Sequence, residues 1–269
     1  MLRRIGSKKK LAMEIIRYFP KDITVFIDLC FGTGSMTWEM LKKYPNIYYF
    51  GNDLDDDVAN LWFVMQNKSD FNELYELTEL CPYNRTIFDY FKGNKANNKI
   101  EKALRFLYLS NYSFLGKNDT LYFNSCNNSK ETLLSDMKNI LKYLKHVKLD
   151  NKNLFDIHLP LSYPKNRPLQ KYGQFAYLDL PYINTTDNYS NSFTEKDTRK
   201  AIEKMDATGL QYAISEFKNE TTEQIAKDYN LHYIEIKTRI AINKKKSTEI
   251  LMTNYKPDYQ QPVEMSLFS

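Results

Sequence analysis

Hydrophobic positions along the 269-residue chain follow two different periods. Short apolar runs bounded by polar or glycine-bearing turns read as buried strands, and they fall at residues 24–27, 47–50, 175–180 and 211–215. Two longer runs, 231–241 and 248–255, are joined by the polar turn 242–247 and predict an antiparallel hairpin. Helical spacing appears first at Leu11, Ile15, Ile16 and Phe19, and again at Met36, Met40 and Leu41. Between residues 57 and 145 it takes over: Val58, Leu61, Trp62 and Met65 share one face, as do Ala103, Leu104, Leu107 and Tyr108. The strongest such face holds Leu133, Leu134, Met137, Ile140, Leu141 and Leu144. Further helices are expected over 222–228 and from Thr194, where Thr194 and Asp197 have capping-box spacing. The pattern predicts an α/β fold, with 1–56 and 146–269 forming the sheet domain around a mainly helical insertion at 57–145.

Three of the predicted strands end in acids. The run 175–180 closes on Asp179-Leu180-Pro181-Tyr182, and the carboxyl ends of strands are where ligands bind in open α/β sheets. Asp179 can accept hydrogen bonds from an exocyclic amino group, and so can the Leu180 carbonyl, because Pro181 keeps the chain before it extended. Tyr182 offers a face for a planar heterocycle. An Asp before a Pro is often only a turn, so the tetrapeptide gains weight from its company. Asp28-Leu29-Cys30-Phe31-Gly32-Thr33-Gly34 is a second strand end, lacking both the Walker A lysine and the three-glycine dinucleotide fingerprint. Asp53, about twenty residues after that loop, stands where a ribose-binding acid is expected. An acid before Gly-x-Gly suits a charged, amino-acid-bearing nucleoside such as S-adenosylmethionine better than a pyrophosphate.

In this order the motifs resemble those of the Dam-type N6-adenine DNA methyltransferases, whose cofactor motif precedes a target-recognition region and an Asp-Pro-Pro-Tyr catalytic motif. The resemblance spans almost the whole chain. It implies a Rossmann-like S-adenosylmethionine-dependent methyltransferase sheet with an antiparallel terminal hairpin, and a helical target-recognition domain at 57–145. Arg4-Ile5-Gly6-Ser7-Lys8 is similar to the family's aromatic-x-Gly-Gly-Lys segment, which puts Lys8 at the cofactor with Asp28, Gly32, Gly34 and Asp53. Residues 146–155 are similar to the family's strand ending in Asp-Phe, with Asn153 in the place of the acid that binds the cofactor's adenine. Residues 249–255 are similar to its closing strand. Asp179, Leu180, Pro181 and Tyr182 take the catalytic positions, Leu180 for the first proline, at a position that acts through its carbonyl.

The remaining features shape that expectation. Residues 111–128 are polar and aromatic, and Asn111, Tyr112, Lys117, Tyr122 and Asn124 are the expected DNA contacts. The stretch 183–193 is expected to fold over a flipped base. Net charge is +5, with lysines grouped at 8–10, 142–152 and 244–246, a pattern that fits phosphate contact or simply a solvated surface. Cys30, Cys81 and Cys126 have no metal spacing, and three scattered histidines suggest no metal site. No apolar stretch approaches the roughly 20 residues of a membrane span, so a cytoplasmic enzyme is expected. At the C-terminus Glu264-Met265-Ser266-Leu267-Phe268 looks like the short peptides that bind sliding clamps, through Met265, Leu267 and Phe268. A tail docked on its own domain explains those residues as well. Double-stranded DNA is the expected substrate. A cytosine N4 or RNA amino-methyltransferase, or a non-catalytic DNA-binding relative, remains an alternative.

Overall fold

The strand β1 (Val25–Asp28) is buried at all four positions, as is β4 (Gln174–Leu178) at all five, which is the signature of parallel strands covered on both faces. The computed structural model describes residues 11–113, 120–121, 130–161, 173–183, 193–240 and 246–259, without the side chains of 238–240 and 246. With β2 (Tyr48–Asn52), β3 (Val147–Asp150), β5 (Gln211–Phe217), β6 (His232–Ile240) and β7 (Lys246–Thr253), these strands form one sheet ordered β3-β2-β1-β4-β5-β7-β6. The first five in that line run parallel, and β7 is antiparallel to both β5 and β6. The expected hairpin is thus present.

Side chains alternate between two cores, as the pleat requires. On one face Val25, Ile27, Ala176, Leu178, Ile214 and Met252 pack with Ala201, Ile202 and Met205 of α8 (Glu195–Thr208) and with Ile225 of α9 (Glu220–Asp228). On the other, Phe26, Tyr49, Phe175, Tyr177 and Leu251 meet the helices that precede β3. These are α1 (Ala12–Ile16), α2 (Ser35–Lys43), α3 (Asp56–Gln66), α4 (Lys68–Leu80), α5 (Arg85–Gly93), α6 (Lys99–Tyr112) and α7 (Lys130–Leu144). Val58, Leu61, Trp62 and Met65 of α3 belong to the same apolar cluster as Phe26 and Tyr49. Gln66 donates from Nε2 to the carbonyls of Leu144 (3.0 Å) and Val147 (2.7 Å), tying α3 to the entry of β3. The helical segment therefore shares its core with the sheet.

Local chemistry accounts for the helix starts. Asp55 accepts from the amides of Asp57 and Val58, and Asn67, Asn84 and Asn98 cap α4, α5 and α6 in the same way. Three asparagines thus serve as helix caps. Thr194 and Asp197 form the expected capping box at the start of α8. One strand is shorter than its resemblance suggested: β3 stops at Asp150, and Asn153 caps a 3-10 turn over Leu154–Asp156.

Candidate active site

Three carboxylates meet at the carboxyl edge of the sheet because three parallel strands end there in register. Asp28, the last residue of β1, lies level with Gly51 of β2 and Tyr177 of β4. Asp53 and Asp179 each follow two residues beyond those partners. Their proximity is electrostatic as well as topological. Asp28 is 1% exposed, and burial, with the charges of Asp179 and Asp53 adding to it, pushes its carboxyl up from 3.8 to about 7, against a lowering hydrogen bond from Thr37. Burial also pushes the Cys30 thiol well above its usual range, and Asp53, Asp179 and Asp28 all reinforce the shift.

The turn after β1 is held by partners far along the chain. Gly32 and Gly34 adopt φ of +49° and +67°, a region that side chains disfavour. A Cβ at Gly34 would also sit 2.4 Å from the Trp38 ring. The Gly32 amide donates to Asp53 Oδ2 at 2.6 Å, so the second acid closes onto the first loop. Two indoles hold the loop's carbonyls: Trp62 Nε1 donates to Gly32 O and Trp38 Nε1 to Thr33 O, both at 2.9 Å. Phe31 packs edge-on against both rings, with centroids 5.3 Å from Trp38 and 5.7 Å from Trp62. Asn52, 1% exposed, joins the neighbouring ends by donating to Leu29 O (3.4 Å) and Lys152 O (3.0 Å) and accepting from Lys152 N (2.9 Å). Helical spacing places Trp62 on a buried face, as found, but gives no sign of these contacts or of those made by Trp38 and Asn52. The available signal was the indole N–H, which seeks a partner when buried.

The tetrapeptide 179–182 follows directly on β4. Leu180 is 2% exposed in the core, which leaves its side chain to packing. Ile183 N donates to Glu216 Oε1 at 2.7 Å, and the Tyr182 phenol donates to Glu249 Oε1 at 3.2 Å. The Tyr182 ring lies against Phe217, with centroids 4.1 Å apart. Burial, followed by the charges of Asp179 and Glu249, pushes the Tyr182 phenol well above its usual range, so it stays a hydrogen-bond donor. Neither glutamate nor Phe217 was foreseen, since their strands are distant in sequence.

Other expected residues lie elsewhere. Asn153 is exposed, and its Oδ1 accepts from Phe155 N at 3.0 Å, so the oxygen expected to face an adenine amino group already caps a turn. Leu54 and Phe155, beside the ends of β2 and β3, are 65% and 37% exposed and offer apolar surface at that edge. Asn111 and Tyr112, expected at the DNA, are both 5% exposed. Asn111 Nδ2 donates back to Leu107 O at 2.8 Å, and Tyr112 packs on Tyr83 and Tyr108, with centroids 4.3 and 4.8 Å away. These two side chains are buried in the helical segment, because α6 continues through them and turns that face inward. Lys8, Lys117, Tyr122, Asn124, the segment 184–192 and the tail with Met265, Leu267 and Phe268 lie outside the described residues. Among the described residues no group of three or more His, Cys, Asp or Glu could hold a metal ion, and no helix is long and apolar enough to cross a membrane.

A parallel sheet extended by an antiparallel strand pair, with a glycine turn and three acids along one edge, defines an S-adenosylmethionine-dependent methyltransferase fold. More particularly, the chain belongs to the D12 class N6 adenine-specific DNA methyltransferases, a family that matches residues 5–240. It is 23% identical to the modification methylase StsI of Streptococcus sanguinis over 94% of its length, and spans 42% of that larger protein. It is 24% identical to the type II methyltransferase M1.LlaDCHI of Lactococcus lactis subsp. cremoris, over 93% of each chain. Among solved structures it resembles the rRNA methyltransferase aviRa of Streptomyces viridochromogenes, with 11% identity, coverage of 91% of this chain and 84% of that one, and a TM-score of 0.41.

The residues present fit the family's cofactor. Asp28 Oδ2 accepts from Thr37 Oγ1 at 2.8 Å, whereas Oδ1 is buried with no hydrogen-bond partner among the described residues. A buried carboxylate oxygen left in that state is costly. A cationic amino-acid group above the glycine turn would satisfy it.

Proposed function

We propose that this chain transfers a methyl group from S-adenosylmethionine to the N6 amino group of adenine in a specific double-stranded DNA sequence. The observation that carries the reading is the meeting of Asp28, Asp53 and Asp179 at one sheet edge, with Tyr182 beside the last of them. Membership of the D12 class supports the choice of adenine. The named relatives are modification methylases, and a role in protecting DNA within a restriction-modification system is proposed on that basis.

In this reading Asp28 would neutralise the cofactor's ammonium, Gly32 and Gly34 would let it approach the backbone, and Asp53 would accept from ribose hydroxyls. Leu54 and Phe155 would flank the purine, and Asn153, whose Oδ1 is held by the turn, would have only its Nδ2 to offer at the purine's edge. When bound, the sulfonium cofactor supplies an electrophilic methyl group. Adenine's amino nitrogen is a poor nucleophile because its lone pair is delocalised into the ring. Asp179 and the Leu180 carbonyl would accept hydrogen bonds from its two N–H groups and favour a pyramidal nitrogen, which loses one of those protons as it gains the methyl group, so that positioning does most of the catalytic work. Tyr182 stacks on the base once it has been swung out of the duplex, at a cost of a few kcal/mol.

Expression in a methylation-free host followed by modification-sensitive sequencing should give N6-methyladenine in one short motif. N4-methylcytosine would replace the reading with its nearest rival, and unmodified DNA would overturn it. Asp179→Ala should abolish the modification while calorimetry still registers cofactor binding.

A further inference from the structure

Tyr182 is fixed from two sides by residues outside its own loop. Its ring lies on Phe217 at an interplanar angle of 44°, and its phenol reaches both oxygens of Glu249, at 3.2 and 3.5 Å. Phe217 and Glu249 are cross-strand partners in the pairing of β5 with β7, so one rung of the antiparallel ladder supplies both contacts. Glu249 is 2% exposed and is followed by the buried Ile250, Leu251 and Met252. An acid at such a position is costly unless its partners are well placed. One residue back along β5, Glu216 is fully buried and accepts from the amides of Ile183 and Phe217, both at 2.7 Å. The backbone just after Tyr182 is thereby held independently of the phenol.

We propose that Glu249 is the positioning residue for Tyr182, and that by holding the phenol over Phe217 it sets the plane of the ring on which the target adenine stacks. This rests on the reading of Tyr182 as the stacking platform. The second side-chain torsion of a tyrosine is broad when nothing holds the ring. A hydrogen bond at its far end and an aromatic ring against one face remove that freedom before the base arrives, and the ordering cost is then not charged to base capture. Stacking alone needs only a phenyl ring; the hydroxyl serves alignment. Glu249 thus acts through Tyr182, and its loss appears in base capture and methyl transfer rather than in cofactor binding.

The test is a double-mutant cycle in the full chain, on duplex DNA carrying the motif found by sequencing with 2-aminopurine at the target base. Glu249→Ala and Tyr182→Phe should each lower the single-turnover rate and the flipped-base fluorescence about tenfold, the loss of one hydrogen bond to a charged group. The double variant should fall no further than Tyr182→Phe alone, because the shared contact is already gone. Glu249→Gln keeps an acceptor oxygen and should recover most of what alanine loses. Glu249→Met, close to isosteric, takes the place of the alanine variant if that one does not fold. Additive losses, or a Gln variant as damaged as the Ala variant, would overturn the role of Glu249. Unchanged fluorescence and rate in Tyr182→Ala would instead overturn the stacking reading on which it rests.

Discussion

Asp28 shows how one buried side chain ties stability to ligand binding. Its carboxyl titrates near 7 in the folded chain against 3.8 without the fold, so between those values the folded state holds the proton more tightly. Raising pH through that interval therefore removes stability, and the loss is complete above about 7. Asp28→Asn should flatten this part of the pH profile of the ligand-free protein by on the order of a few kcal/mol, as read by denaturant unfolding at pH 5 and pH 8. Cofactor affinity should move in the opposite direction. The carboxylate that receives an ammonium forms as pH rises through about 7, so calorimetric affinity for S-adenosylmethionine should increase from pH 6 to pH 8 in the parent. If the asparagine variant keeps the same slope, Asp28 is not the ammonium's partner. Asp28 and Asp179 were legible as strand-end acids because burial patterns fix where strands stop. That Asp28 Oδ1 has no hydrogen-bond partner among the described residues was not, since it depends on what the folded chain brings against it.

At the scale of elements, the glycine turn owes its shape to α2 and α3. Periodicity showed that Trp62 faces inward; it could not show that the indole N–H reaches Gly32 O from thirty residues away. Trp62→Phe keeps an aromatic ring in the core and removes only that donor and some volume. It should cost about 1–3 kcal/mol in unfolding free energy, from the hydrogen bond lost at a half-buried carbonyl together with the cavity left by the smaller ring, and weaken cofactor binding at the same time. A loss of stability with unchanged affinity would mean that the turn keeps its shape without the indole. The hairpin of β6 and β7 is a similar case. Two runs joined by a polar turn made it readable as a hairpin, yet only its pairing with β5 puts Glu249 opposite Phe217 and under the Tyr182 phenol.

For the molecule as a whole, the helical segment and one face of the sheet share an apolar core. Phe26 and Tyr49 of the sheet, Trp62 and Met65 of α3, and Leu133 and Met137 of α7 belong to a single cluster. Removing residues 57–145 should therefore leave one face of the sheet bare, and the remainder should give no cooperative melting transition, whereas the intact chain should melt in one step by calorimetry. A deletion variant that melts cooperatively would show that the sheet region folds on its own. The same packing explains why Asn111 and Tyr112, polar enough to suggest a surface, are enclosed: α6 presents both to its neighbours, and composition does not report which way a helix faces.

The sequence by itself determined the element types, the hairpin, the capping box at Thr194 and the acids at three strand ends, because period and capping depend on residues a few positions apart. It also determined the family, through motifs kept in order along the chain. Tertiary structure alone decided that the three acids share one edge, that two indoles and Asn52 brace the glycine turn, that Asn153 caps a turn, and that Glu249 holds Tyr182. Each of these follows from strand order and register, which join residues as far apart as Asn52 and Lys152. Such pairings are set by how the sheet assembles, and no local pattern encodes them.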